Sequence, residues 1–328
     1  GANQTAANKL PDGIKGMWWD INWLGYQFPS VFPNVSSGLR WLLGAVYFAK
    51  FYPLACLVIV GLSAWFFFRQ LRFHPAICLA GGLAAALNGN TFSNMAWGQG
   101  SRPLSMAAAF LALAAIDSCR VGRSWIKLAL AGIAVGWGVS EGFDVGAIYS
   151  VYIAAFAFFF SLLTTEKPLG ARIVLSPTRV VVIAVVAAVF SAYALTGLIE
   201  TQVKGVAGME QTDEARARRW AEATQWSTPV SETIRVVIPG SHGYRMDTPN
   251  GGQYWGRVGQ TEGWQEHRQG LARFSGSGEY AGLLVVLMAI YAIALSFRKT
   301  DSIFSAQDRK IIWFWGALAL VSLLLAWG

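Results

Sequence analysis

Eight apolar segments, near residues 51–68, 75–88, 103–118, 125–139, 144–163, 180–198, 280–297 and 311–327, divide this chain. The polar stretches between them alternate in character. One set is short and basic: Arg69 and Arg72; Arg120, Arg123 and Lys127; Lys167, Arg172 and Arg179; Arg298, Lys299, Arg309 and Lys310. The other set is rich in Trp, Gly, Asn and acids, and one member runs from about 199 to 279. Short basic loops mark the cytoplasmic side of a multi-span membrane protein. Counting crossings from an outside start puts the basic loops 69–74, 119–124, 164–179 and 298–310 on one side, and 89–102, 140–143 and 199–279 on the other. A missed or extra span would scatter basic loops over both faces. The expected fold is an all-α polytopic membrane protein of about eight transmembrane helices, with the long loop outside the cytoplasmic membrane.

Composition agrees. Hydrophobic residues make up 54% of the chain and charged ones 13%, against about 25% charged in a soluble domain. The net charge of +8 has a topological origin, since twelve of the 26 Lys and Arg are the short-loop residues named above. Nucleic acid is therefore not an expected partner. Cys56 and Cys78 fall inside apolar segments and Cys119 in a short basic loop, with no CxxC. His74, His242 and His267 are scattered, which argues against a His-based metal site.

Four regions follow. Residues 1–50 form an outer stretch, with 37–50 as a short interfacial amphipathic helix bracketed by Arg40 and Lys50. Residues 51–198 form a six-helix membrane module, 199–279 an outer region of mixed helix, loops and short strands, and 280–328 two C-terminal membrane helices. Several segments are shorter than the ~20 residues that cross a bilayer core. Some must extend into their polar flanks or not cross fully. In the second, PAICLAGGLAAALN, Gly81 and Gly82 favour close helix contact. The chain opens on GANQTAANKLPDG, without an initiator Met or a basic leader. A longer protein, with at least one further span upstream, is expected.

No phosphate-loop, zinc-protease or serine-hydrolase motif is present. The informative residues are ionisable groups at the outer ends of segments: Glu141 and Asp144 in VSEGFDVG, Arg102 just before Pro103, and Asp20 in GMWWDINWLG. Each has two readings. One is ordinary solvation at headgroup depth. The other is a water-facing cavity at the membrane surface, where a carboxylate acts as base or holds a divalent metal and Arg or Lys holds a phosphate. A polyprenyl-phosphate sugar requires that layout, because its tail stays in the bilayer and its anionic head at the surface. Asp20, Glu141 and Asp144 are then the candidate catalytic acids, and Arg102 and Lys50 the candidate phosphate contacts. Trp19, Asn22, Trp23, Asn94 and Trp97 are candidate sugar or acceptor contacts. The Trp residues also suit an aromatic belt, and the polar stretch 88–103 also suits a plain connecting loop. No cofactor is implied with certainty.

The order of WWDINWLGYQFPSVFPN, of FYPLACLVIVGLSAWFFFRQLRFHPAICLAGGLAAALNGN, of VVIPGSHG and of YAGLLVVLMAIYAIAL resembles the bacterial YfhO-type membrane proteins, which belong with the GT-C glycosyltransferases. The resemblance covers nearly the whole chain and rests on order and hydropathy. It implies a multi-span fold in a bacterial inner membrane, with a catalytic acid in the first outer loop and a lipid-linked sugar donor. The acceptor would be a cell-envelope polymer. One departure stands out: the family's W-N element aligns through Asn22 rather than Asp20, so the family acid is expected upstream. Two other functions stay open. A scaffold or accessory subunit of an envelope complex would use the outer region for docking. A transporter is disfavoured, because no charged residue sits mid-span and no Pro interrupts the centre of an expected helix.

Overall fold

The computed structural model describes residues 17–19, 26–28, 34–96, 98–120, 124–164, 168–198, 212–224, 227–243, 254–258, 279–298 and 303–327. Strands β1 (Met17–Trp19) and β2 (Tyr26–Phe28) pair antiparallel, Trp19 opposite Tyr26. The helices that follow are α1 (Val35–Gln70), α2 (Pro75–Leu87), α3 (Gly89–Ala96) and α4 (Ser101–Asp117). Next come α5 (Ser124–Glu141), α6 (Phe143–Thr164), α7 (Leu169–Phe190) and α8 (Ala192–Leu198). The chain continues with α9 (Asp213–Thr224), a 3-10 helix at Val230–Val236, α10 (Leu283–Ser296) and α11 (Ala306–Ala326). Two compact units result: Gly1–Leu87 with Asn94–Ala207, and Asn88–Ser93 with Gly208–Gly328. The C-terminal helices thus group with the stretch that precedes them.

Among the described residues, α1, α6, α7 and α11 are long and apolar enough to cross a bilayer by length and composition; α2 and α10 are apolar but shorter. Side-chain placement points the same way. In the first unit, small residues such as Ala64, Ala107, Ala108 and Ala131 are buried, while Leu62, Leu79, Val151, Val174 and Val189 face outward. A protein in water hides its large aliphatics, whereas helices in lipid put small residues at their contacts. Gly82 illustrates this: a Cβ there would lie 2.8 Å from the Gly61 carbonyl oxygen of α1. Within this unit α1 packs on α2 and α4, α4 on α5 and α6, and α5, α6 and α7 on one another.

Three expectations are corrected. The interfacial helix does not span 37–50. Helical structure starts at Val35 and breaks at Gly44 (φ 70°, ψ 170°) before running to Gln70. The break folds the two halves against each other, because the Ser36 hydroxyl lies 2.6 Å from the Tyr52 hydroxyl. Sixteen residues of straight helix would separate them by about 24 Å. That φ/ψ region is essentially reserved for glycine. Gly44→Ala should therefore cost about 1–3 kcal/mol. The cost is purely backbone strain, since nothing lies within 4 Å of the added Cβ. Thermal unfolding in detergent checks it, and an unchanged midpoint would contradict the strain.

The second correction concerns the basic loop expected at 164–179: helix α7 already begins at Leu169. Arg172 and Arg179 lie inside α7, and their guanidinium groups reach back to the Leu162 carbonyl (3.4 Å) and the Ser161 hydroxyl (3.0 Å). Long side chains of this kind let a helix start before its charges end. Third, Pro53 lies within α1 and Pro177 within α7. Neither ends its helix, and each removes one backbone donor. The absence of helix-interrupting Pro and of charge inside a helix therefore no longer argues against transport.

Candidate functional site

Helix α1 begins with an unusual set of partners. An N-terminus leaves its first amides without intrahelical acceptors. Here the Asn34 side chain accepts from Ser37 N (2.8 Å), which is a standard N-cap. The other two come from far along the chain: Glu141 Oε1 accepts from Val35 N (2.6 Å) and Ser36 N (3.1 Å). The same oxygen accepts from the Trp137 indole (3.0 Å), one helical turn earlier on α5. Glu141 Oε2 accepts from the Ser36 hydroxyl (2.7 Å). Since that proton is committed, the Tyr52 hydroxyl donates to Ser36 in turn. Asn34 Nδ2 closes the set on the Ser140 carbonyl (3.1 Å). Tyr52, Cys56, Met95 and Leu104 pack beneath it, with Leu39, Phe48 and Trp137 against them.

Glu141 is buried and accepts four hydrogen bonds. Three of the four fall on Oε1 and one on Oε2, so both oxygens are engaged by the chain's own donors. Glu141 holds α1 to α5. Asp144 is different: it lies in the first turn of α6 and is exposed. Arg102, in the first turn of α4, is exposed as well. The two belong to one end of the unit. A Cβ on Gly142, between Glu141 and Asp144, would sit 3.4 Å from Ser101 Cβ and 3.2 Å from Ser105 Oγ. Arg102 is also within electrostatic reach of Tyr149 on α6.

The remaining candidates divide. Lys50 is only two residues from Tyr52, but successive helical residues turn by about 100°, which puts it roughly on the opposite side of α1. It is exposed, with its ammonium 5.7 Å from the Phe51 ring centroid. Asn94 is buried, and its carbonyl accepts from Gln99 N (2.8 Å). Trp19 ends strand β1. Asp20, Asn22 and Trp23, in the segment joining the strands, and Trp97 lie outside the described residues. Among the described residues, no three His, Cys, Asp or Glu side chains come together in a metal-binding group.

A second polar cluster, in the other unit, had no counterpart among the sequence expectations. Arg235 pairs with Glu232 and with Glu279, where its Nε donates to Oε2 at 2.7 Å. It also donates to the Tyr254 hydroxyl (2.9 Å). Tyr254 donates to Glu232 Oε2 (2.5 Å), and Arg257 N donates to Glu232 Oε1 (2.5 Å). Burial and the hydrogen bond to Glu232 push the Tyr254 phenol well above its ordinary range. Burial opposes the charge on Arg235, but Glu279, Tyr254 and Glu232 together outweigh it and raise the guanidinium further. No family model, curated protein or solved structure matches this chain.

Proposed function

We propose that the chain is a membrane glycosyltransferase of the GT-C kind, as the YfhO-type resemblance implies. It would move a sugar from a polyprenyl-phosphate donor to a cell-envelope acceptor on the outer face of a bacterial inner membrane. In this topology the chain crosses about eight times. In the first unit the starts of α1, α4 and α6 would face outward, and the short basic connections the cytoplasm, in keeping with the positive-inside rule.

One observation carries the reading: Arg102 and Asp144, an exposed cation and an exposed acid, occupy the first turns of two packed helices at one end of the unit. Asp144 is the base that takes the acceptor hydroxyl proton, and Arg102 holds the donor phosphate with help from the helix start. Glu141 positions them by fixing the ends of α1 and α5. Trp97, Asn94, Trp19, Asn22 and Trp23 remain candidates for sugar contact, Lys50 for phosphate, and Asp20 for the acid of the first outer loop.

The test is transfer from a polyprenyl-phosphate-linked hexose by the full-length protein in proteoliposomes. Asp144→Asn should lower turnover by about 10²-fold or more, the scale of general-base catalysis. Arg102→Ala should raise the KM for the donor. Wild-type rates in both variants would sink the assignment. A second reading, a non-catalytic scaffold or accessory subunit, is favoured by the use of Glu141 as a tie between the ends of α1 and α5. It requires the wild-type protein to transfer nothing while an envelope complex depends on its presence.

A further inference from the structure

We infer that the 3-10 helix Val230–Val236, with Ile238 and Trp255, lies in the bilayer interface and sets its apolar side chains into lipid. The inference rests on the membrane reading of α10 and α11. A 3-10 helix has three residues per turn, so Glu232 and Arg235 stack on one face. That face points inward, with Glu232 1% exposed and Arg235 fully buried. Val230 (62%), Ile234 (47%), Ile238 (51%) and Trp255 (68%) point outward. A segment folded in water does the reverse. Here Glu232 and Arg235 are desolvated into a hydrogen-bonded network while large apolar groups are left outside. Lipid on that side removes the conflict.

The depth of the segment is set by hydrogen bonds. Thr228 N donates to the carbonyl of Ala326, the last residue of α11 (2.7 Å). The Trp327 indole donates to Thr233 Oγ1 (2.9 Å). Ala281 N, just before α10, donates to the Val236 carbonyl (3.0 Å). The segment is thus stitched to the ends of two apolar helices, at the level where they leave the hydrocarbon. Trp327 and Trp255 are the residue type favoured there. Helix α10 has 14 residues and spans about 21 Å of a core roughly 30 Å thick. A short helix draws the bilayer surface toward its ends, which keeps the outward side chains in reach of acyl chains.

The experiment uses the full chain with Cys56, Cys78 and Cys119 replaced by Ala. An environment-sensitive fluorophore is attached in separate proteins at Ile234→Cys, Trp255→Cys and, within α10, Met288→Cys. Each is reconstituted into phosphatidylcholine vesicles carrying a nitroxide at a shallow or a deep acyl position. Labels at 234 and 255 should lose more fluorescence to the shallow nitroxide than to the deep one, and little to aqueous iodide. The label at 288 should favour the deep nitroxide. If 288 behaves so while 234 and 255 respond to iodide alone, the segment faces water and the inference is overturned. Protection from both quenchers overturns it too, since a protein surface or second copy then covers the face. A label at 288 that no lipid nitroxide reaches overturns the membrane reading and the inference together.

Discussion

Replacing Glu141 with Ala should destabilise the first unit by about 3–5 kcal/mol and free the segment before Gly44. The variant strips acceptors from Val35 N, Ser36 N, the Ser36 hydroxyl and the Trp137 indole at once. Each donor left buried without a partner costs about 1–3 kcal/mol. The full sum does not appear, because an α1 start released from α5 regains water. Glu141→Gln can keep the three bonds made by Oε1 but loses the charge and the Ser36 hydroxyl bond to Oε2, so it recovers only part of the loss. Two measurements check this. Thermal unfolding in detergent should shift down for both variants, more for Ala. A cysteine at position 37 should react with a water-soluble maleimide faster than in the parent. Unchanged reactivity would show that the Asn34 cap alone holds the helix start, and that the Glu141 contacts are incidental. The same variants separate positioning from chemistry. For the proposed transfer reaction, loss of activity that tracks α1 release supports a positioning role. Loss without release would return Glu141 to the catalytic candidates.

Hydropathy made much of the helical framework legible, because residues that must meet lipid form long apolar runs. The expected segment 144–163 is α6 to within a residue at each end, and 280–297 and 311–327 contain or overlap α10 and α11. What escaped was set by contacts between distant residues. Gly44 reads as one more small residue in an apolar run, and only the Ser36–Tyr52 contact shows that the chain reverses there. The start of α7 lies earlier than its charges suggest, because Arg172 and Arg179 signal a loop by charge, yet both side chains reach back to the end of α6. Sequence alone offers Glu141 as a catalytic candidate but shows nothing of its structural partners. Its partner in sequence, the Asn-Val-Ser-Ser helix start, lies more than a hundred residues away. In VSETIRVVI, Glu232 and Arg235 have the spacing of a surface pair. The only hint of their burial is that their neighbours are apolar.

Arg235→Ala should have an effect as large, confined to the second unit. Removing one partner of a buried ionic network leaves the other charge uncompensated, at a cost of about 3–5 kcal/mol. Glu232 would lose its cation while still buried, and Tyr254 would lose a donor. Arg235→Lys should rescue little, because one ammonium cannot serve Glu232, Tyr254 and Glu279 in the directions a guanidinium does. Glu232→Gln with Arg235→Met should be milder than Arg235→Ala, since it removes both charges and fills much of the space. Hydrogen exchange at 230–238 and 254–258 reads the effect locally, and full protection in Arg235→Ala would sink the prediction. A pH series adds an independent check. The Tyr254 phenol is held above its ordinary range by burial and by Glu232. Its contribution is therefore complete below the unfolded phenol value of about 10. Above that the unfolded chain releases the proton first, so stability falls as pH rises toward the raised value. Tyr254→Phe should lower protection at neutral pH yet remove that part of the alkaline decline. A network that only touches by chance would show neither change.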